Sequence, residues 1–426
     1  MSDLHVKYLL VGGGVAASEA AKAIREIDRE GDLLMIGQEI NRPYHRPPLS
    51  KGFLRGQQSR ESLFTARAEW FVENRVQLRT GRRVSNIDTT RNAVMLDNGE
   101  GVSFSRLLIA TGGGAAPLDV AGAQLPSLFY LRTLENAELL QHVMAKAARE
   151  GQTHPKGRGR AMVIGGGPLG VELAGSITQA GLHVDLVVAE EHPLRHYAGE
   201  TTGRWISRFL ESHGVSVHCN ERAARLEGDG RIQRVLLASG EVVPCDFVVA
   251  AVGIIVNKDL LRGTPIAAEK AVLVDDSCRT SVRDIFAAGD CAAVFDPLFG
   301  KHRILQHSDS AALTGQIAGT NMAGGDAKFQ TASYFDSEVF GLELEAWGEA
   351  RAVDRRIIRG LPSAESPQFI EFGVAADGRL AQIVTGARQE RKELFASLIE
   401  RRISVIGKEE QLKDPSLPVE RTLDLV

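Results

Sequence analysis

Short β-branched and aliphatic runs alternate along this chain with longer stretches whose apolar positions recur at helical spacing, the pattern of layered α/β architecture. The segment "VKYLLVGGG" (6–14) predicts a strand ending in a glycine turn, "VAASEAAKAIREI" (15–27) a helix, and "DLLMIG" (32–37) the next strand. The same order returns as "RAMVIGGG" (160–167), "PLGVELAGSITQA" (168–180) and "LHVDLVVAE" (182–190). A repeated strand, turn, helix and strand predicts two nucleotides, or one site and a divergent duplicate. The polar stretch "GQTHPKGRGR" (151–160) reads as the linker before the second opening. Strands within 231–252 are expected to carry the chain back toward the first domain. Residues 329–426 begin rich in strand and continue into an amphipathic helix, "ERKELFASLIERR" (390–402).

Composition narrows the class. A chain of 426 residues, 43% hydrophobic and 24% charged, has room for two or three domains and the balance of a soluble enzyme. The net charge of -4 offers no electrostatic footprint for nucleic acid or an anionic membrane. Cys219, Cys245, Cys278 and Cys291 are too widely spaced for a metal motif or a disulfide framework, so no metal site and a cytoplasmic location are expected. The start, "MSDLHVKYLL", lacks the basic flank and long apolar core of a signal peptide. The longest apolar run, "FVVAAVGIIV" (247–256), is about half a bilayer span, so no transmembrane segment is expected.

The glycine turns carry the chemistry. Gly12, Gly14 and Ala17 form G-x-G-x-x-A between a strand and a helix, and Gly165, Gly167 and Gly170 form the full G-x-G-x-x-G. In this fingerprint the first glycine makes the turn, the second admits a pyrophosphate to the backbone, and the small third residue lets helix pack on sheet. Free N–H groups at the helix start then meet the phosphates. One such cluster could serve only as a backbone turn; two in the same context favour dinucleotide binding. An acidic residue is expected at the end of each second strand. Glu190 fills that place in the second unit, with Glu191 following, and a carboxylate there favours NADH over NADPH, although Arg195 nearby could turn toward a 2′-phosphate. In the first unit Gln38 takes the natural position and Glu39 stands one residue later.

On these motifs the chain resembles the two-dinucleotide flavoprotein reductases of the pyridine nucleotide-disulfide oxidoreductase superfamily. The nearest branch contains the ferredoxin reductases of oxygenase systems, monodehydroascorbate reductases and apoptosis-inducing-factor-like proteins. The resemblance runs through "LLVGGGVAASEAA" (9–21), "PYHRPPLSKGFL" (43–54), "LLIATGG" (107–113), "VIGGGPLGVELAG" (163–175), "IFAAGDCA" (285–292) and "QHSDSAALTGQIAGTNM" (306–322). It implies two Rossmann-like domains, binding FAD and NAD(P)H, plus a C-terminal α+β domain that covers the flavin. The expected boundaries are 1–118 with 246–326 for non-covalent FAD, 119–245 for NADH, and 327–426 for the C-terminal domain. By the same resemblance Thr111, Gly112 and Asp290 contact FAD, and His307 brings its backbone near the nicotinamide or flavin ring. Leu169 and Gly253 join the NADH site.

The loop "RPYHRPPLSKG" (42–52), stiffened by Pro43, Pro47 and Pro48, is either a connector or a rigid platform. The resemblance favours a platform, with Arg46 and Lys51 along the flavin. Lys51 then pairs with Glu172, matched to a glutamate on the first turn of the NADH-domain helix; a plain helix-dipole role for Glu172 is the alternative. His45, His192 and His196 lack ligand spacing and read as packing or surface residues, and Cys291 stands alone. Two departures bear on the electron acceptor: Asp336 occupies a position held by a flavin-shielding tryptophan in the relatives, and Gln306 one often held by glutamate. Residues 38–60 contain no cysteine, which argues against an enzyme dithiol. The implied activity is electron transfer from NADH through FAD to a small iron–sulfur protein, a quinone or another small-molecule acceptor. The alternatives are a signalling flavoprotein of the apoptosis-inducing-factor kind and an NADH oxidase. Both monomer and homodimer are compatible with the sequence.

Overall fold

The computed structural model describes residues 4–151, 158–360, 367–386 and 392–425. The chain divides into two compact units. The first comprises Met1–His45, Arg60–Gly114 and Ile255–Ser333; the second comprises Arg46–Ser59, Ala115–Ile254 and Tyr334–Val426. The proline loop from Arg46 onward therefore belongs to the second unit.

The first unit is built on a seven-stranded sheet. Its central parallel strands run 76–79, 33–36, 4–11 and 101–109, with 285–287 also paired to 101–109 and an antiparallel extension through 93–96 and 84–88. The strand "LLMI" is buried throughout, as expected where both faces of a parallel sheet are covered. Complete burial of Leu9, Leu10, Leu33 and Leu34 contributes roughly 1.5–3 kcal/mol per side chain. Ser308–Met322 lies against the predicted Val15–Ile27 helix, with Gly315 and Gly319 each facing a backbone carbonyl, of Ala16 and Ala20. A methyl group at either glycine would come within 2.2–2.3 Å of those oxygens, so the contact requires glycine.

The second unit contains a five-stranded parallel sheet in the order 215–219, 183–188, 160–164, 247–250 and 128–130. Its fingerprint helix spans Pro168–Gln179, and a longer helix spans Leu134–Gly151. Most of the expected linker, 152–157, lies outside the described residues. The 231–252 segment supplies strands 234–237 and 242–244 to a three-stranded antiparallel sheet and 247–250 to the parallel one. The long apolar run 247–256 is split between that strand and a short one at Ile254–Ile255, with Gly253 turning between them at φ +116°.

Five antiparallel strands, ordered 334–339, 342–348, 380–386, 369–374 and 355–359, form the C-terminal sheet of the second unit. The helix read at 390–402 is described as Lys392–Glu400, with 390–391 outside the described residues. Glu371, fully buried on this sheet, accepts hydrogen bonds from the Gly199 N–H (2.9 Å), the Thr202 hydroxyl and Arg356. It thereby receives a donor from the uncapped start of the Glu200–Ser212 helix, where negative charge is favoured. Buried Arg359 donates to the carbonyls of Leu412, Asp414, Pro415 and Leu417, fastening the C-terminal turns to the sheet.

Candidate functional site

In the first unit the predicted residues gather at the carboxyl ends of parallel strands. Gly12 and Gly14 follow 4–11, Gln38 and Glu39 follow 33–36, Thr111 and Gly112 follow 101–109, and Asp290 follows 285–287. The chain leaves strand 4–11 for 33–36 on one side and 101–109 on the other, creating the switch point at which such sheets bind ligands. Gly12 adopts φ +137°, and a Cβ there would sit 2.0 Å from the Ala110 carbonyl oxygen. The Cβ position of Gly14 meets nothing within 4 Å, and no side chain caps the helix that starts there. Ala17 is fully buried. An open backbone approach, uncapped N–H donors and no acidic residue in the first helical turn suit a pyrophosphate. Gln38 is exposed; half-buried Glu39 accepts the Tyr44 hydroxyl at 2.5 Å, which fixes its orientation. Asp290 lies in a single turn anchored by the Gly289 N–H to the Thr314 hydroxyl at 3.0 Å. His307 stands at the N-terminus of the Ser308–Met322 helix.

The second fingerprint has the same construction. Gly165 adopts φ +126°, Gly167 leaves its Cβ space empty, and a Cβ on Gly170 would lie 1.8 Å from the Gly165 carbonyl oxygen. The helix begins without a side-chain cap or a first-turn acid. Leu169 is partly exposed on that first turn, Glu190 follows strand 183–188, and Gly253 follows strand 247–250. These residues also share the carboxyl ends of parallel strands. They fit a second dinucleotide.

Glu172 is the fifth residue of its helix, just past the first turn in which the resemblance places it. There it is removed from the exposed N–H groups on which a helix-dipole role depends. Its carboxylate accepts the Ser50 hydroxyl at 2.5 Å and the Ser337 hydroxyl at 2.8 Å. Lys51 Nζ lies 3.4 Å from Glu172 Oε1 and 3.3 Å from Asp336 Oδ2. Burial pushes the Glu172 carboxyl above the usual carboxylate range, opposed by Lys51 and the two hydroxyls. Burial works against charge on Lys51 as well, but Glu172 and Asp336 outweigh it and raise the ammonium above its ordinary value. The lysine therefore stays charged between one buried and one exposed carboxylate.

Local geometry explains how the proline loop presents that lysine. Pro47–Ser50 forms a single tight turn, in which the Leu49 N–H bonds to Arg46 O at 2.9 Å and the Lys51 N–H to Pro48 O at 3.1 Å. The Arg46 guanidinium donates to the Arg132 carbonyl, and Gln141 donates to the Phe53 carbonyl. Ser176 on the fingerprint helix donates to Ser50 O at 2.6 Å. Ser50, Ser176 and Ser337 were not legible as site residues, since isolated serines carry no spacing signal.

All four cysteines are free. Cys245, Cys278 and Cys291 are buried, and among the described residues no group of three or more potential ligands could hold a metal. No helix among those residues is long and apolar enough to cross a membrane. The fold and turns define a two-dinucleotide reductase that works without an enzyme dithiol.

Residues 6–315 match the pyridine nucleotide-disulphide oxidoreductase family, and this chain belongs to it. Membership carries FAD and NAD(P)H binding and oxidoreductase activity. The chain is 31% identical to the ferredoxin–NAD(+) reductase component of the biphenyl dioxygenase system of Paraburkholderia xenovorans, over 95% of each chain. It is 30% identical to rhodocoxin reductase of Rhodococcus erythropolis, over 86% of this chain and 83% of the relative. The crystal structure of the covalent putidaredoxin reductase–putidaredoxin complex matches with TM-score 0.90 at 26% identity, covering 100% of this chain and 99% of that one.

Proposed function

We propose that this protein is an NADH-dependent FAD reductase that passes electrons singly to a ferredoxin- or rubredoxin-type carrier. The carrying observation is the pair of uncapped glycine turns, each leaving open the space above its second glycine. Relatives named as reductases of ferredoxin and rhodocoxin support the class of acceptor. When bound, FAD supplies the chemistry, accepting hydride from NADH and yielding electrons one at a time.

The chain's part is to bind and orient. Gly12, Gly14 and Ala17 would seat the FAD pyrophosphate on the Val15–Ile27 helix, while Gln38 and Glu39 would receive the ribose. Thr111, Gly112, Asp290 and His307 would line the remainder of that non-covalent site. Gly165, Gly167, Leu169 and Gly170 would hold the NADH pyrophosphate, with Gly253 beside them. Glu190 would accept both ribose hydroxyls and repel a 2′-phosphate, favouring NADH. Lys51, kept charged and placed by Glu172, would stabilise negative charge gained at the reacting end, with Arg46 serving the phosphates.

The test is anaerobic titration of the purified yellow protein with NADH, followed by addition of a [2Fe–2S] ferredoxin, a rubredoxin, a quinone or oxygen. Bleaching by NADH and reoxidation faster by an iron–sulfur or rubredoxin carrier than by quinone or oxygen are expected. Protein that neither contains nor takes up FAD would sink the proposal.

A further inference from the structure

Lys51 and Arg55 stand four residues apart in a turn closed by the Arg55 N–H on Lys51 O at 3.1 Å. Asp336 and Glu338 stand two residues apart on the edge strand Tyr334–Val339. A helical turn rises about 5.4 Å and two strand residues about 6.6 Å, so the two spacings nearly match. The result is a ladder of two rungs. Lys51 Nζ donates to Asp336 Oδ2 at 3.3 Å, and Arg55 donates to Glu338 Oε1 at 3.4 Å and to the Ser176 hydroxyl at 3.3 Å. Between the two acids, buried Ser337 turns the other way and binds Glu172. Glu345, the partner of Asp336 on the neighbouring strand, is already held by the Tyr334 hydroxyl at 2.7 Å and by Lys392 at 2.6 Å.

The two ends of the first rung differ in exposure: the Lys51 side chain is 12% exposed and that of Asp336 52%. Water and salt screen an exposed carboxylate within about 8 Å at physiological ionic strength, so its field beyond its own contacts is weak. Its influence passes through the largely buried ammonium that it touches. That ammonium carries three N–H donors on a flexible stem. One is directed at Asp336, and Glu172 Oε1 lies 3.4 Å from the same nitrogen.

We infer that Asp336 is a positioning residue that withholds the Lys51 ammonium from the flavin and so makes the reduced cofactor a stronger electron donor. This rests on the proposed placement of Lys51 at the reacting end of FAD. A cation there favours the form of the flavin that carries negative charge, which is the reduced form. Sharing the ammonium with Asp336 weakens that preference. The effect suits a reductase that hands its electrons on to a carrier. Glu172, fixed by the Ser50 and Ser337 hydroxyls, anchors the lysine on the buried side, and Asp336 divides what remains.

The experiment is anaerobic equilibration of the FAD-loaded protein with a reference dye, reading the ratio of reduced to oxidised flavin at about 0.15 M ionic strength. Asp336→Asn is expected to favour reduced flavin about tenfold more than wild type, a positive shift of about 30 mV for a two-electron couple. Lys51→Met with Glu172→Gln supplies a lysine-free background that leaves no buried carboxylate unpaired. There Asp336→Asn is expected to move the equilibrium less than about twofold. An unchanged equilibrium in Asp336→Asn would overturn the inference. Equal shifts with and without the lysine would overturn it too, because the carboxylate would then act by its own field, while Lys51 kept its place. Failure of the underlying reading looks different. If adding Lys51→Met to Glu172→Gln does not disfavour reduced flavin, Lys51 does not serve the flavin and the inference falls with that assignment. Asp336→Asn keeps the side chain's shape at an exposed position, and matched melting curves are expected to show an intact fold.

Discussion

Lys51 Nζ lies 3.4 Å from Oε1 of Glu172, a carboxylate that the protein removes from solvent. Burial raises Glu172 above the ordinary 4.5, so its ionisation costs stability as pH rises from that value through the elevated one. Lys51 limits the cost. Lys51→Met is expected to steepen the decline in Tm between about pH 5 and about pH 8, with a loss of about 3–5 kcal/mol at the upper end. Lys51→Met combined with Glu172→Gln is expected to recover most of that loss, and thermal unfolding across pH checks both.

Two neighbouring glycines separate binding from folding. Gly167 has an ordinary φ of -76° and empty space at its Cβ position, so Gly167→Ala is expected to fold normally yet raise the KM for NADH at least tenfold. At Gly170 the new methyl would collide with Gly165 O, and Gly170→Ala is expected to destabilise the fold by about 1–3 kcal/mol. Paired melting and NADH titrations distinguish these effects.

Thiol chemistry is expected to be dispensable. Burial pushes Cys245 up to about 12 and also raises Cys278 and Cys291. Cys291 Sγ donates to the Ile109 and Ala288 carbonyls at 3.4 and 3.3 Å. Pretreating the NADH-reduced enzyme with iodoacetamide should leave turnover unchanged; inhibition prevented by Cys291→Ser would contradict the dithiol-free reading.

His218 provides a separate pH-dependent contribution. Its Nε2 lies 2.9 Å from Asp185 Oδ1, and that hydrogen bond raises the imidazole above the ordinary 6.5 against the opposing effect of burial. The contribution is complete below 6.5 and is lost as pH rises through the elevated folded value. His218→Gln is expected to flatten the fall in Tm between about pH 6 and about pH 8.

Arg359 satisfies four carbonyls of the last stretch of chain with one guanidinium, beside the exposed Arg355–Glu409 ion pair at 3.0 Å. Arg359→Met would strand four carbonyl acceptors and is expected to expose the 409–425 segment to limited proteolysis before the rest unfolds. Cleavage at wild-type rate would show that the segment is retained without the Arg359 hydrogen bonds.

The local backbone demands were readable in advance. Gly12 and Gly165 adopt the positive φ that their turns require, and the helices predicted at 15–27 and 168–180 appear at Val15–Ile27 and Pro168–Gln179. Lys51 and Glu172 could be paired only through a whole-family pattern. The partnership of Lys51 with Asp336 was not legible, because it joins residues 285 apart and depends on the antiparallel edge strand Tyr334–Val339. The same edge supplies Ser337 to Glu172, an alignment that hydrophobic alternation alone cannot specify. The helix at Leu134–Gly151 also carries a legible amphipathic pattern, with Leu134, Ala137, Leu140, Met144 and Ala147 buried at helical spacing.

Glu371 belongs to the C-terminal sheet, yet it accepts an N–H at the start of a helix packed on the five-stranded parallel sheet. That arrangement constrains how the protein can be recombined. Grafting a homologous C-terminal segment would require a compatible acceptor at this seam, since a mismatched residue would leave Gly199 and Thr202 without their buried partner. Inheritance of the two regions is thus coupled by a single buried carboxylate.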